Sequence, residues 1–231
     1  MTPLIEVRGL RYRYDDGTEA LRGVDLTVYP GETVVLLGAN GSGKTTLLLH
    51  LNGLLQGEGS VRVCGMDVSP PTLRDVRSKV GMVFQDADEQ LFMPTVLEDV
   101  AFGPLNQGFP PDEAAARARA ALAHVGLGDI EHRAPYHLSA GEKRRAALAG
   151  VLAMEPEILI LDEPTTYLDP PAQRSLVKLL VNLPQAKVVA THDVRFAAAL
   201  ATRALFFDKG QVAREGSLSE IVELFRWDWD A

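Results

Sequence analysis

Gly38-Ala39-Asn40-Gly41-Ser42-Gly43-Lys44-Thr45 is the stretch on which the reading of this chain turns. Its form, G-x-x-x-x-G-K-T, is that of a phosphate-binding loop. The apolar run Thr33-Val34-Val35-Leu36-Leu37 before it reads as a buried strand, and Thr46-Leu47-Leu48-Leu49-His50-Leu51 after it reads as a helix. Strand, loop and helix in that order give the motif its context. Glycines let the backbone curl until several N–H groups converge on one anion. The following helix adds the positive end of its dipole. The loop residues 38–45, with Thr46 beside them, are therefore candidate ligands of a nucleotide. Lys44 is expected to reach the β- and γ-phosphates, and the Thr45 hydroxyl to hold Mg2+. A plain glycine-rich helix cap is the competing reading, but it gives no purpose to Lys-Thr at this offset.

The 231 residues suffice for one domain, or for one domain with a lobe. A net charge of −8 argues against nucleic acid or an anionic membrane surface as the main electrostatic partner. Cys64 is the single cysteine, so no internal disulfide forms and a reducing compartment fits. Met1-Thr2-Pro3-Leu4 lacks the basic-then-apolar order of a secretory signal. No apolar run reaches the ~20 residues that a membrane-spanning helix needs. Residues 196–207 come nearest and are interrupted at Thr202 and Arg203. Work at a membrane would require another protein to hold the chain there.

Residues 5–8 and 10–14 alternate as strand residues do, Asp15-Asp16-Gly17 is a turn, and residues 24–28 form a second alternating strand. Tyr29-Pro30-Gly31-Glu32 turns the chain into the strand before the phosphate loop. Short turns cannot make parallel crossovers, so these early strands are expected to pair antiparallel. Residues 61–63 and 80–84 follow as strands, with Pro70-Pro71-Thr72-Leu73-Arg74 leading into a short helix between them. From Gln85 to about Pro156 the texture turns helical. Thr95-Val96-Leu97-Glu98 is a capping box that opens a short helix. Pro110-Pro111-Asp112-Glu113 opens an alanine-rich helix that Gly126 stops, and Ser139-Ala140-Gly141-Glu142 opens a third, to about Met154. The runs 158–161, 187–191 and 204–207 are continuously apolar, as parallel strands covered on both faces are. Residues 173–183 read as a connecting helix, Asp208-Lys209-Gly210-Gln211 as a hairpin turn, and residues 219–225 as a closing helix. The expected organisation is a single domain, 1–231, with an α/β core at 1–85 and 156–231 and an inserted helical lobe at about 86–155.

Ile158-Leu159-Ile160-Leu161-Asp162-Glu163 carries the second half of the chemistry. Carboxylates at the carboxyl end of a buried strand sit at the rim where open α/β sheets bind ligands. Asp162 suits Mg2+, directly or through water, and Glu163 suits a proton acceptor for the attacking water. Two adjacent carboxylates repel, so both are tolerated as charges only near a cation.

With these residues in place, the chain resembles the nucleotide-binding subunit of an ATP-binding-cassette transporter. Leu138-Ser139-Ala140-Gly141-Glu142 resembles that family's signature loop, usually Leu-Ser-Gly-Gly-Gln. Thr166-Tyr167-Leu168-Asp169 resembles its dimer-interface loop, and Thr191-His192-Asp193 resembles its switch histidine. Gln85 resembles the glutamine that links the metal site to the membrane partner. Tyr14 resembles the aromatic residue that stacks on adenine, while Tyr12, one alternation away on the same strand face, stays open as the alternative. The resemblance implies an α/β P-loop NTPase (RecA-like) core with an antiparallel β subdomain and an inserted helical lobe. It also implies ATP and Mg2+ as ligands, catalysis by Lys44, Gln85, Glu163 and His192, and Mg2+ held by Thr45, Gln85 and Asp162. Two chains would sandwich two ATP molecules head to tail, so that Ser139, Gly141 and Asp169 of one chain meet the nucleotide of the other. The signature helix also reads as an ordinary capping box, in which Ser139 accepts from the Glu142 N–H. Ala140 and Glu142 depart from the usual signature, and Tyr167 stands where a small residue is common.

Residues 84–92 and 95–104 are similar to the cobalt/nickel and energy-coupling-factor branch of the family. That resemblance implies an ATPase that powers uptake of a metal ion or vitamin from the cytoplasmic face of a membrane. Its partners would be a second copy or paralogue, an integral coupling subunit and a small substrate-binding membrane protein, with no nucleic acid. Leu91, Phe92, Met93 and Pro94 form an apolar cluster that fits either a groove for a partner helix or the lobe's own core. The rival functions are a non-transport cassette ATPase and an ATP-gated scaffold with slow hydrolysis.

Overall fold

The structure is a computed structural model that describes residues 1–227. In chain order its elements are β1 (Ile5–Arg13), β2 (Glu19–Val28), β3 (Thr33–Leu37), α1 (Lys44–Leu51), β4 (Glu58–Val63), β5 (Met66–Asp67) and α2 (Leu73–Lys79). There follow β6 (Val80–Val83), α3 (Val96–Gln107), α4 (Pro111–His124), α5 (Ala140–Leu152), β7 (Ile158–Asp162) and α6 (Pro170–Val181). The chain then forms β8 (Ala186–Ala190), α7 (Val194–Leu200), β9 (Arg203–Asp208), β10 (Gln211–Gly216) and α8 (Leu218–Phe225).

β1 and β2 alternate buried and exposed positions and pair antiparallel, in a small sheet ordered β2-β1-β4-β5. Antiparallel pairing does not extend to β3. All five β3 residues are buried. A strand with two apolar faces has to be covered on both, and β3 accordingly leaves the half-solvated sheet. It joins a second sheet, ordered β10-β9-β3-β8-β7-β6, in which it runs parallel to β8 and β9. Within β3 the two-residue period sorts the side chains. Val34 and Leu36 face α1 and the small sheet, packing with Leu47, Leu51, Ile5 and Val7. Val35 and Leu37 face α5, α6 and α7, packing with Leu148, Leu176 and Phe196.

Helices α3, α4 and α5 share a third cluster of buried apolar side chains, centred on Val96, Val100, Leu122 and Ala146. The Thr95 capping box forms, with Thr95 Oγ1 accepting from Glu98 N–H at 3.3 Å. The helix it opens is not short: it runs 12 residues, through Pro104, to Gly108 at φ +97°. Helix α7 takes up the first part of the apolar run 196–207, starting two residues ahead of it at Val194. Asp193 caps it by accepting from Phe196 N–H at 3.0 Å, and the run breaks at residues 201–202 before β9 begins. At the other end, Phe225 stacks on Phe206 at 3.7 Å and Trp227 meets Phe206 edge-on at 5.2 Å, so Trp227 covers the core. Trp229 lies outside the described residues. Among the described residues no helix is long and apolar enough to cross a membrane.

Gly81 shows how closely α5 packs on the edge strand β6. A Cβ there would lie 2.1 Å from Val151 Cγ1 and 3.1 Å from Pro156 Cγ. Valine is stiff at χ1 and cannot swing aside. Gly81→Ala is therefore expected to destabilise the protein by about 1–3 kcal/mol, read as a lowered urea midpoint with an unchanged slope.

Candidate nucleotide site

Parallel strands β3 and β7 end side by side in the sheet with only β8 between them, which sets the phosphate loop beside Asp162 and Glu163. The loop leaves β3 at Gly38 with φ +145°, where a Cβ would sit 2.3 Å from the Phe207 carbonyl oxygen. It enters α1 at Gly43 with φ +106°, where a Cβ would sit 2.5 Å from the Ala20 carbonyl oxygen. Only glycine satisfies both the backbone and the space at these two points. The loop opens on a cleft of about 530 Å³ lined in part by Asn40, Gly41, Gly43, Lys44, Thr45 and Thr46. Tyr14, Gln85 and Glu163 line the same cleft.

Lys44 is buried, and its Nζ donates to the carbonyl oxygens of Gly38 at 2.7 Å and Ala39 at 3.0 Å. Burial pulls its pKa below the usual lysine value, while Glu163 and Asp162 pull the other way. Asp162 is buried, its Oδ1 has no hydrogen-bond partner, and burial pushes its pKa above the ordinary carboxylate value. The nearby Thr45 hydroxyl opposes that rise, whereas the Glu163 charge adds to it. The Ser42 hydroxyl is also buried without a partner. A buried carboxylate oxygen and a buried hydroxyl left unmatched near Lys44, just behind the cleft's lining, suit a divalent cation and an anion bound together.

Glu163 follows β7 and is held at φ +41°, an uncommon conformation for a side chain of its size. Its backbone N–H donates to the Ala190 carbonyl oxygen at 2.8 Å, extending the β7–β8 ladder by one step. One carboxylate oxygen, Oε2, lies 2.9 Å from His192 Nδ1 and 3.4 Å from His192 N–H. A carboxylate accepts, so Nδ1 carries the proton. The other oxygen, Oε1, is buried with no partner. His192, whose side chain is 60% exposed, thus orients Glu163 and leaves one oxygen free to accept from water.

Ser139, Gly141 and Asp169 are not brought to this cleft. They line a separate cavity of about 270 Å³ between the amino end of α5 and the segment before α6. The Ser139 capping box is formed. Ser139 Oγ donates to Glu142 Oε2 at 2.7 Å, Ser139 N–H donates to the same oxygen at 2.8 Å, and Glu142 N–H donates back to Ser139 Oγ at 3.3 Å. The bonds from Ser139 hold the Glu142 carboxyl below the usual glutamate pKa. Asp169 caps α6, accepting from Ala172 N–H at 2.8 Å. Tyr167 stands 81% exposed at φ +65° on the rim.

Arg144 went unread in the sequence, although it sits in the basic run Lys143-Arg144-Arg145 five residues after Ser139. It is buried and donates to the carbonyl oxygens of Phe84 at 2.5 Å and Gln85 at 2.6 Å. Lys143 reaches Asp88 at 2.5 Å, and Gln90 Nε2 donates to the Ala147 carbonyl at 3.3 Å. The signature helix is thereby stitched to the segment that carries Gln85.

Fold and cleft together define a P-loop nucleotide-binding protein. The family model for ABC transporters matches residues 21–166. The chain is 48% identical over 232 residues to the energy-coupling factor transporter ATP-binding protein EcfA of Methanothermobacter thermautotrophicus, covering 96% of this chain and 75% of that one. It is 51% identical over 219 residues to a Geobacter sulfurreducens protein provisionally named as an ABC transporter ATP-binding protein, covering 94% and 88% of the two chains. Among solved structures it is similar to cbiO1 of Clostridium perfringens, part of the ABC transporter complex cbiONQ, at TM-score 0.86 and 36% identity over 96% of this chain and 92% of that one. It is also similar to the dimeric ATP-binding cassette MJ0796 bound to ADP and phosphate, at TM-score 0.84 and 29% identity over 93% and 98% of the two chains. The chain belongs to the ABC transporter family, as an ATPase of the kind that couples ATP hydrolysis to transport.

Asp162 binds its proton more readily in the folded chain than in the unfolded one, so its ionisation costs stability as pH rises above about 3.8. Asp162→Asn is expected to raise the thermal midpoint of the nucleotide-free protein at pH 7. The same change is expected to remove the further rise that Mg-ATP gives the unaltered chain, both read by differential scanning.

Proposed function

We propose that this chain powers the uptake of a small substrate, a cobalt or nickel ion or a vitamin, through a membrane partner, working as an ATP-sandwich dimer on the cytoplasmic side. The observation that carries the dimer is the separation of the two cavities. Ser139 and Gly141 open at a helix amino end, a natural anion site, yet they share no cavity with the phosphate loop of their own chain. A second copy or paralogue turned head to tail would close each cleft with the other's signature helix. The dimeric relative and the names EcfA and cbiO1 support the same reading.

In this mechanism the loop N–H groups and Lys44 neutralise the developing charge on the γ-phosphate, and Lys44 exchanges its loop carbonyls for phosphate oxygens. Thr45, Asp162 and Gln85 would hold Mg2+, which supplies further charge stabilisation when bound. Glu163 takes the proton of the attacking water through its free oxygen, with His192 fixing the carboxylate. Tyr14 offers its ring to adenine. The lobe at about 86–155 would convey nucleotide state to the membrane subunit. A groove of about 1150 Å³ beside Gln85, lined by Phe84, Leu91, Phe92, Asp99, Phe102 and Met154 among others, gives a partner helix a place to lie. Of the apolar cluster after Gln85, Leu91 is packed in the lobe core while Phe92 is 61% exposed against Phe102.

A second reading is favoured by one observation: the Ser139 hydroxyl is already committed to Glu142. If that bond holds in the closed dimer, hydrolysis is slow and the chain serves as an ATP-gated scaffold. Stoichiometric burst kinetics without a steady state would show it. Under the transport reading, Glu163→Gln is expected to lower steady-state hydrolysis by about 10²–10⁴-fold while leaving ATP binding intact. Purification from detergent-solubilised native membranes is expected to bring down an integral coupling subunit and a small multi-helix membrane protein. Recovery only with soluble nucleic acid or ribosomes would overturn transport.

A further inference from the structure

His50 has no part in the chemistry above, yet it is 1% exposed in α1, one turn beyond Thr46. Its Nδ1 lies 2.7 Å from the Thr46 carbonyl oxygen. A carbonyl only accepts, so Nδ1 bears the proton and the neutral ring leaves Nε2 bare. Burial pushes the histidine pKa below its usual value, in keeping with a neutral ring. Nε2 is buried with no hydrogen-bond partner, and Gly57 packs over it: a Cβ at 57 would come within 3.2 Å of Nε2. An unmatched nitrogen is a cost that an apolar side chain would avoid. The compensating contacts lie on the other side of the ring.

Tyr12 packs edge-on against His50, with centroids 4.8 Å apart at 75°. Tyr12 packs edge-on in turn against Tyr14, 4.9 Å apart at 87°. The Tyr14 hydroxyl is 3.0 Å from Thr46 Oγ1, and Thr46 is the residue whose carbonyl holds His50. Two residues one turn apart on α1 and two residues one alternation apart on the β1 side thus form a closed circuit. All four contacts are directional: two are hydrogen bonds and two are edge-to-face ring pairs. Of the two tyrosines, Tyr14 borders the nucleotide cleft, as Thr46 does, while Tyr12 borders a different cavity.

We propose that His50 is a positioning residue for the nucleotide base: through Thr46 and Tyr12 it fixes the Tyr14 ring relative to α1, so that base and phosphates are received in one preset geometry. The proposal rests on the reading of Tyr14 as the adenine platform. Its consequence is selective. Loosening His50 frees the Tyr14 ring and weakens binding of a base-bearing ligand. The phosphate loop lies ahead of the helix that carries His50 and retains its own carbonyl and N–H geometry.

The test is Mg-dependent binding of ATP and of inorganic tripolyphosphate, which has no base, to the full chain carrying His50→Leu, Tyr12→Leu or Tyr14→Ser. His50→Leu is expected to weaken ATP about five-fold, the scale of one aromatic pair, and to leave tripolyphosphate unchanged. Tyr12→Leu is expected to do the same, and it keeps the test open if the buried substitution prevents folding. Adding His50→Leu to Tyr14→Ser is expected to cost nothing further, because His50 acts through Tyr14. Equal weakening of both ligands by His50→Leu, or no weakening of either, overturns the positioning role. A ratio of ATP to tripolyphosphate affinity that Tyr14→Ser leaves unchanged overturns the base platform itself, and the two failures are told apart by which variant shows them.

Discussion

Three buried charges held within reach of one another set the terms for this structure: the ammonium of Lys44 and the carboxylates of Asp162 and Glu163. Charges removed from water are costly unless they are paired and hydrogen-bonded. Here the pairing is incomplete. Lys44 is satisfied by two backbone carbonyls rather than by a carboxylate, and each carboxyl group keeps one buried oxygen without a partner. Such an arrangement is unfavourable by itself and favourable once a tetra-anion and a dication lie among the groups. The site is therefore built for its ligands at the expense of the empty fold, and the left-handed backbone at Glu163 adds to that expense.

The remainder of the fold supplies the support that lets such a site persist. Helix α1 is clamped between the two sheets, with Leu47, Leu48 and Leu51 fully buried. The phosphate loop is thus anchored at one end by β3 in the middle of the large sheet and at the other by a helix that cannot shift. Asp162 and Glu163 are fixed the same way, since β7 is paired on both sides, with β6 and β8. The rigid half of the site rests on central strands. Gln85, His192, Ser139 and Asp169, by contrast, stand at exposed positions outside the regular strands.

Much of this was legible in the sequence because the decisive signals are local. The glycines at 38 and 43, the lysine at 44 and the carboxylates ending an apolar run each announce a strand-end turn, and the turns are where they were expected. What stayed illegible depended on neighbours distant in the chain. The pairing of β3 was misread because a short connection can join two different sheets as easily as two adjacent strands. Helix α7 was hidden because its cap, Asp193, sits inside a motif read for its histidine, and because its apolar face runs on into β9. The partition of site residues into two cavities, expected from the lobe's insertion and the family resemblance, follows from where α5 packs, which no spacing alone reveals. Arg144 was missed for the same reason: in the sequence it is one of three basic residues in a row, and only its burial distinguishes it.

Arg144 also bears on how the two cavities communicate. A guanidinium that grips two consecutive carbonyls fixes both position and orientation of the backbone it holds. The backbone it holds is that of Gln85, whose side chain borders the cleft, and the helix it stands on begins at Ser139. With Lys143–Asp88 and Gln90–Ala147 on either side, the amino half of α5 cannot rotate without carrying the Gln85 segment along. Packing of this kind transmits displacement because close-packed contacts are bistable rather than compliant. The groove beside Gln85 lies against the same helix, with Ala147, Gly150 and Val151 among its lining. A force applied in that groove, or at the opposite end of α5, therefore acts on one rigid piece, and Gln85 is the point at which that piece borders the nucleotide cleft.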